Sequence, residues 1–220
     1  MYIVMLGKPG SGKGTVGKML SESFGIAHIS SGELFRNYIK KAGNIGKTIE
    51  EYVNKGILVP DDLTIKLVEK RLNEKDCENG VILDGFPRNI AQAEELDNFL
   101  KEKNKKIDIA IELNLSDSDI IKRIITRRIC PNSECREVYN LDFKKPVKDG
   151  ICDKCGTELI QRDDDKEDAI KQRLETYHNE SEKLVKYYKS KDLLYAVKLN
   201  MNSGKTSEDV VKEVEEKFKK

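Results

Sequence analysis

The chain has 220 residues, of which 38% are hydrophobic and 36% charged, and its 40 basic and 39 acidic residues leave a net charge of +1. This length predicts one large domain or one domain with insertions, and the balanced charge argues against bulk binding of a polyanion such as a nucleic acid. No apolar run reaches the roughly 18 to 20 residues that cross a bilayer, and Lys8 and Lys13 follow the short apolar start too soon for a signal peptide, so we expect neither a secreted nor a membrane-spanning protein.

Apolar periodicity predicts strands that alternate with helices along most of the chain. A continuous apolar run over Tyr2–Leu6 is typical of a buried parallel strand, and a helix should begin near Lys13. Later strands are predicted at residues 28–30, 81–83, 107–115 and 193–199. Later helices are predicted at 32–55 with a break at Gly43 and Gly46, from Pro60, after Pro87, from Ser116 or Asp117, at 165–189 and at 209–218. The alternation predicts an α/β fold with a parallel sheet, interrupted by insertions at about 30–60 and 127–163.

A glycine-rich loop joins the first strand to the first helix. Its sequence GKPGSGKGT, residues 7–15, fits G-x-x-x-x-G-K, with Gly14 where Ser or Thr usually stands and Thr15 one place later. Glycines let backbone N–H groups surround phosphate oxygens, and a lysine at this place reaches the β- and γ-phosphates. Thr15 is the candidate to support Mg²⁺. The predicted phosphate-binding residues are Gly10, Ser11, Gly12, Lys13, Gly14 and Thr15.

A second motif, Asp84-Gly85-Phe86-Pro87-Arg88, ends the strand predicted at 81–83. A carboxylate at the carboxyl end of a strand beside a phosphate loop is well placed to hold Mg²⁺ or its waters. Arg88 would face a phosphate. Without the loop, the same motif would be compatible with a helix cap and a surface arginine.

Four of the five cysteines fall within 26 residues. Cys130-x4-Cys135 and Cys152-x2-Cys155 form two thiol pairs that 16 residues separate, a pattern typical of structural Zn²⁺ bound by four thiolates. Iron could occupy the same thiolates, and free or disulfide-bonded cysteines remain the alternative. We assign no role to Cys77.

Five segments together resemble the adenylate kinase family, in its long form with a zinc-binding lid. They are GKPGSGKGT, ISSGELFR (29–36), LDGFPRNIAQA (83–93), RIITRR (123–128) and QRDDD…QRL (161–174). The resemblance covers essentially the whole chain. It implies a P-loop NTPase core with a five-stranded parallel sheet flanked by helices (1–29, 60–126 and 165–220), a helical insert that binds a nucleoside monophosphate (30–59), and a small β-rich lid (127–164). It also implies the reaction ATP·Mg + AMP ⇌ 2 ADP, a structural Zn²⁺, and a cytoplasmic monomer without nucleic-acid or membrane partners.

The resemblance further implies roles for individual residues. Catalytic roles fall to Lys13, Asp84, Arg88, Arg127, Arg162 and Arg173. Besides the loop, ATP would be contacted by Arg123, Arg127, Val138, Tyr139 and Lys205. AMP would be contacted by Ser31, Arg36, Ile57, Leu58, Val59, Gly85, Phe86, Pro87, Arg88, Gln92, Arg162 and Arg173. Arg123 and Arg127 are four residues apart and should share a helix face. Asp163, Asp164 and Asp165 either pair with lid arginines or begin the long helix.

Three other functions compete with that of an adenylate kinase. A kinase of UMP or CMP is disfavoured by the long lid and by Ser31 and Gln92, although the family usually has Thr at the place of Ser31. A GTPase-like switch would need N-K-x-D, and the segment 104–108 is one residue too long. A zinc-ribbon nucleic-acid binder is disfavoured by the mixed charge and sparse aromatic residues around the cysteines.

Overall fold

The computed structural model describes residues 1–200 and 204–218, and for Asp163 the backbone alone. The strands are β1 (Tyr2–Leu6), β2 (Ala27–Ser30), β3 (Val81–Asp84), β4 (Ile109–Asn114), β5 (Arg127–Ile129), β6 (Val138–Asn140) and β7 (Leu194–Lys198). The helices are α1 (Lys13–Phe24), α2 (Ser31–Lys40), α3 (Asn44–Lys55), α4 (Asp61–Leu72), α5 (Ile90–Glu102), α6 (Asp117–Ile125), α7 (Glu167–Thr176), α8 (Glu182–Ser190) and α9 (Ser207–Phe218). Within these described ranges, no helix has the length and apolar character needed to cross a membrane.

Five strands form one parallel sheet in the order β2-β3-β1-β4-β7, which confirms the predicted fold class. Every residue of β1 is buried. Tyr2, Val4 and Leu6 face one apolar cluster with α4, α5 and α8, while Ile3 and Met5 face a second cluster with α1 and α9. A strand covered by helices on both faces must be apolar at every position, so its sequence reads as a continuous apolar run.

Two insertions build separate small cores outside the sheet. Helices α2 and α3 pack around Phe35 and Ile49, with Val59 and Leu67 completing the cluster. Strands β5 and β6 pair in antiparallel fashion, and isolated bridges extend this unit to Ile160. The core of the second insertion is made of Cys130, Tyr139, Cys152 and Leu159, so it contains few large apolar side chains.

The prediction that Arg123 and Arg127 share a helix face is wrong. Helix α6 ends at Ile125, and Arg127 is the first residue of β5. Long-range pairing ends the helix: the Asn140 side chain donates to the Arg123 carbonyl (3.0 Å) and the Leu141 N–H donates to the Thr126 carbonyl (2.9 Å). These bonds satisfy carbonyls that a helix end leaves without partners.

The helix predicted at 165–189 is present with two differences. A single turn of 3₁₀ helix over Asp163–Asp165 precedes it, so the α-helix begins at Glu167. A π-helical turn over Tyr177–Ser181 then separates α7 from α8. Such turns are common near functional sites. In this turn, the Ser181 hydroxyl donates a hydrogen bond to the Arg88 carbonyl at 2.7 Å.

Candidate active site

The glycine loop lies at the carboxyl end of β1 and leads directly into α1. Gly10 and Gly12 have φ angles of 76° and 100°, a left-handed conformation that favours glycine. Asp84 ends the neighbouring strand β3, opposite Met5. A Cβ atom on Gly14 would lie 3.3 Å from Asp84 Oδ2, so the carboxylate lies directly against the loop.

Lys13 reaches back over the loop that precedes it. Its Nζ donates to the carbonyls of Gly7 (2.7 Å) and Lys8 (2.8 Å). Burial lowers the pKa of Lys13 to about 8, and Asp84 opposes part of that effect. The ammonium group therefore has little water around it and would be strongly stabilised by an anion in the loop.

One large cleft brings the predicted basic residues together. Besides loop residues and Asp84, its lining includes Lys13, Arg36, Arg88, Arg123, Arg127, Arg162 and Arg173. Burial lowers the pKa of Arg88 to about 10, with Arg173 acting in the same direction. Burial likewise lowers the pKa of Arg162 to about 10, with contributions from Arg127 and Arg36. Buried cations that destabilise one another in this way form a binding site for a multiply charged anion.

Two aspartates of the 3₁₀ turn pair with these arginines. Arg127 makes a two-pronged bond to the buried Asp165, with Nε 2.8 Å from Oδ2. Arg173 Nη1 lies 2.8 Å from Asp164 Oδ2. Although burial raises the pKa of Asp164, Arg173 and three further arginines hold it below its usual value. Asp165 therefore pairs with an arginine of the predicted lid, as the first of the two alternatives expects. The partner of Asp164 is Arg173, which lies in α7 and outside the predicted lid. The side chain of Asp163 lies outside the described residues.

A smaller pocket opens beside Arg36, Arg88 and Arg173. Of the residues predicted to contact AMP, its lining also includes Ile57, Leu58, Val59, Gly85 and Gln92. Pro87 lines the larger cleft, whereas Phe86 is buried in the core against the sheet.

Ser31 contributes to this pocket through Gly85. The Ser31 hydroxyl donates to the Gly85 carbonyl at 2.6 Å, and Arg88 Nε donates to the same oxygen at 2.8 Å. Gly85 has a φ of 76°, and a Cβ there would come 2.7 Å from Ser31 Oγ. The hydroxyl proton of Ser31 is thus engaged in shaping the turn of the pocket.

The predicted lid and C-terminal contacts have different surroundings. Val138 and Tyr139 line the large cleft, but Tyr139 is only 3% exposed and its hydroxyl accepts from the Asp153 N–H at 2.8 Å. Lys205 is paired with Glu213, and its Nζ lies 2.7 and 2.8 Å from the two carboxylate oxygens. Ser11, itself a residue of the loop, is buried, and its hydroxyl has no hydrogen-bond partner among the described residues.

Sequence reasoning missed two residues at the cleft. Phe143 is 55% exposed, and the Arg123 guanidinium lies 5.1 Å from its ring centroid. An aromatic residue between Asp142 and the two lysines Lys144 and Lys145 was the available signal. Arg136 donates to Glu33 (2.9 Å) and Asn37 (3.2 Å), and so joins the second insertion to α2. Residues 103 positions apart form this ion pair, and no local pattern indicated it.

The four clustered cysteines can hold a metal ion. All are free thiols, and their sulfur atoms lie within 4.8 Å of one another. The separations Cys130–Cys155 (3.3 Å) and Cys135–Cys152 (3.6 Å) are too long for disulfides and close to the about 3.8 Å edge of a tetrahedral zinc–thiolate site. Hydrogen bonding with the side chain and backbone of Thr157 lowers the pKa of the Cys155 thiol to about 6, which favours a thiolate at neutral pH. The donor set therefore fits a metal such as zinc.

A phosphate loop on a parallel sheet, facing a cleft lined with arginines, defines a P-loop enzyme of phosphoryl transfer. The family described as adenylate kinase matches residues 5–193. The chain is 45% identical over 212 residues to the adenylate kinase of Caldicellulosiruptor bescii, covering 96% of this chain and 98% of the relative. It is 47% identical over 215 residues to the adenylate kinase of Archaeoglobus fulgidus, covering 98% of this chain and 96% of the relative.

These similarities extend over nearly the whole length of both proteins. The chain therefore belongs to the adenylate kinase family. Enzymes of this family transfer a phosphoryl group between adenylates, with ATP, AMP and ADP as substrates and Mg²⁺ accompanying ATP.

Proposed function

We propose that this cleft catalyses ATP·Mg + AMP ⇌ 2 ADP by positioning two nucleotides and neutralising their charge. The observation that carries the proposal is the convergence of Lys13 and six half-buried arginines between the glycine loop and the pocket at residues 57–59. Two nucleotides that carry several negative charges repel each other. Bringing them into line is the main task in phosphoryl transfer.

The ATP side of the cleft is formed by the loop. Backbone N–H groups of Gly10 to Thr15 would surround the phosphates, and Lys13 would exchange its two carbonyl partners for phosphate oxygens. Thr15 and Asp84 would hold Mg²⁺ or its waters; the ion supplies positive charge to the phosphates. Arg123 and Phe143 already stack on each other and offer two flat surfaces to an adenine ring.

The AMP side would use Arg36 and Arg88 for the phosphate. Gln92 and the backbone around Val59 would contact the base. The AMP phosphate is anionic at neutral pH and can attack directly, so neither His28 nor His178 is needed as a general base.

Arg127, Arg162 and Arg173 would bridge the group in transfer. Asp164 and Asp165 hold two of these guanidiniums in place, and phosphate oxygens would take over some of their hydrogen bonds. We assign residues 127–164 to a lid, residues 30–59 to the monophosphate-binding insert, and the rest to the core. The Arg136–Glu33 pair would hold lid and insert together over bound nucleotides.

We propose Zn²⁺ as the metal of the four cysteines, with a structural role. All four positions of a tetrahedral ion would be filled by sulfur, so none remains open for a substrate. A bound metal supplies cross-links to an insertion that has only a small apolar core. We also propose that the protein works as a cytoplasmic monomer.

The test of the proposed function is a coupled assay with ATP·Mg and each of AMP, GMP, CMP and UMP. ADP formation with AMP at a rate far above the other three is expected. Activity with a pyrimidine monophosphate alone would keep the phosphate chemistry and overturn the assigned base contacts. A folded, metal-loaded sample that transfers no phosphoryl group would overturn the proposal.

Replacing Arg88 with alanine should raise KM for AMP by about 10- to 100-fold, since a hydrogen bond to a charged group contributes about 1.5–3 kcal/mol. KM for ATP should change less than about twofold if Arg88 serves only the AMP phosphate. Steady-state kinetics with each nucleotide varied in turn measures both constants. Arg71→Ala, which removes an arginine bonded to Asp76, is the control. Equal increases in both KM values would remove Arg88 from the AMP site.

Binding of ATP in the absence of divalent ions should weaken above pH 8. Burial lowers the pKa of Lys13 from 10.5 to about 8. Bound phosphate would raise that pKa again, so binding above pH 8 must take up a proton. The association constant should then fall by up to about tenfold per pH unit between pH 8 and 9. Calorimetry in two buffers of different ionisation enthalpy measures the uptake, which should be absent in Lys13→Met.

A further inference from the structure

The side-chain amide of Gln92 is held in a single orientation. The backbone N–H of Arg88 donates to Gln92 Oε1 (2.9 Å), and Gln92 Nε2 donates to Asp61 Oδ1 (2.6 Å). A backbone N–H can only donate, and a carboxylate can only accept. Exchanging the oxygen and nitrogen of the amide would set donor against donor and acceptor against acceptor. Gln92 is 1% exposed, so water cannot compensate for either mismatch.

Asp61 is itself fixed by a second side chain. Asn89 Nδ2 lies 3.0 Å from each carboxylate oxygen of Asp61. Asn89 Oδ1 accepts from the Gln92 N–H (2.9 Å) and thereby caps the start of α5. Asn89 therefore connects the first turn of α4, which carries Asp61, to the first turn of α5, which carries Gln92.

The bonds to Arg88 and Asp61 use half of the hydrogen-bonding capacity of the amide. A primary amide has two N–H groups and two oxygen lone pairs, so one donor and one acceptor remain for the pocket that Gln92 lines. Their order is set by the protein. Adenine offers an acceptor at N1 beside the amino donor at position 6, whereas hypoxanthine and guanine offer a donor at N1 beside a carbonyl acceptor. A fixed amide can match one order only.

We infer that Asp61, held by Asn89, is a positioning residue that sets the base selectivity of the monophosphate site through Gln92. The inference rests on the proposed function, because it takes this pocket as the site of the AMP base. It concerns a group that does not line the pocket: Asp61 acts by keeping the Gln92 amide in the order that adenine requires. Loss of Asp61 should therefore change the preference among purines and leave the ATP side unaffected.

Four variants separate this role from a merely structural one. Asp61→Ala removes the acceptor, whereas Asp61→Asn keeps one carbonyl oxygen that can still accept from Gln92. Asn89→Ser keeps a residue that caps helices well but removes the amide that holds Asp61. Asp62→Ala removes an exposed carboxylate one position along the same helix and is the matched control.

Calorimetry should give Kd for AMP and for IMP with each folded variant, and kinetics should give KM for ATP. The preference for AMP is the Kd for IMP divided by the Kd for AMP. For Asp61→Ala we expect this ratio to fall at least about tenfold. Asn89→Ser should lower this ratio by a smaller factor. Asp61→Asn and Asp62→Ala should keep it within about twofold, and KM for ATP should stay unchanged in all four.

The inference is overturned if Asp61→Ala keeps the wild-type ratio, or if Asp62→Ala lowers it as much. If Asp61→Ala does not fold, the smaller change in Asn89→Ser decides the question, and an unaltered ratio there overturns the inference. Failure of the proposed function looks different: the wild-type protein would then bind AMP weakly and form no ADP from it, whatever the variants do.

Discussion

Lys13→Met should lower kcat for ADP formation by about a hundredfold to a thousandfold. Removing one hydrogen-bond donor from the place where negative charge develops in the transition state typically has an effect of that size. The loss should appear in kcat and in kcat/KM for both nucleotides. It arises because Lys13 is the group of the glycine loop that carries a full positive charge into the cleft, and a methionine of similar length cannot supply it.

The fold should survive this substitution. Among the described residues, Lys13 Nζ donates to the carbonyls of Gly7 and Lys8, which remain close to the open cleft. Its pKa is lowered by burial, so the ammonium is itself poorly solvated, and its removal offsets part of the lost hydrogen bonding. We expect a melting temperature within a few degrees of the wild type, measured by calorimetry without nucleotide.

Lys66→Met is the matched control for Lys13→Met. Lys66 is exposed on α4, so the same substitution there should leave both kcat and melting temperature unchanged. Turnover near the wild-type rate in Lys13→Met would refute the role of the loop. A large fall in melting temperature together with the lost activity would show that Lys13 supports the fold.

The core of the fold could be predicted because its determinants are local. Strand β1 is buried on both faces, which requires the continuous apolar run that the sequence shows. The glycine loop was equally recognisable, since close approach of backbone to phosphate restricts both residue types and spacing. The cysteine spacing carried its own signal, because four thiolates around one ion require two close pairs.

The remaining features depend on contacts between distant residues. Arg127 follows Arg123 at helical spacing, yet pairing of β5 with β6 moves it into a strand. The choice of Asp165 as its partner depends on a turn 38 residues away. Likewise, Asn89 looks like an ordinary helix cap in sequence, and only the position of α4 makes it a donor to Asp61. Sequence spacing constrains neighbours along an element; it contains little information about which elements meet.

Cys155→Ser should lower the melting temperature by at least about 5 °C while leaving most of the activity at 25 °C. Cys155 is exposed, and exchange of its sulfur for oxygen would by itself change stability by less than about 0.5 kcal/mol. A larger fall must therefore come from lost metal binding. In a domain of this size, about 1 kcal/mol corresponds to roughly 2–4 °C, so weakening a structural ion by a few kcal/mol is readily seen.

In Cys155→Ser, the loss of stable structure should be confined at first to residues 127–160. Their common core consists of two cysteines with Tyr139 and Leu159, and the Tyr139 hydroxyl lies 3.6 Å from Cys152 Sγ, so metal and core are one unit. Hydrogen exchange should show faster exchange in this segment while the sheet stays protected. A chelator should reproduce the effect in the wild type and add nothing in the variant. Elemental analysis of both proteins identifies the ion. Complete loss of activity at 25 °C with the lid still protected would instead place the metal in the chemistry itself.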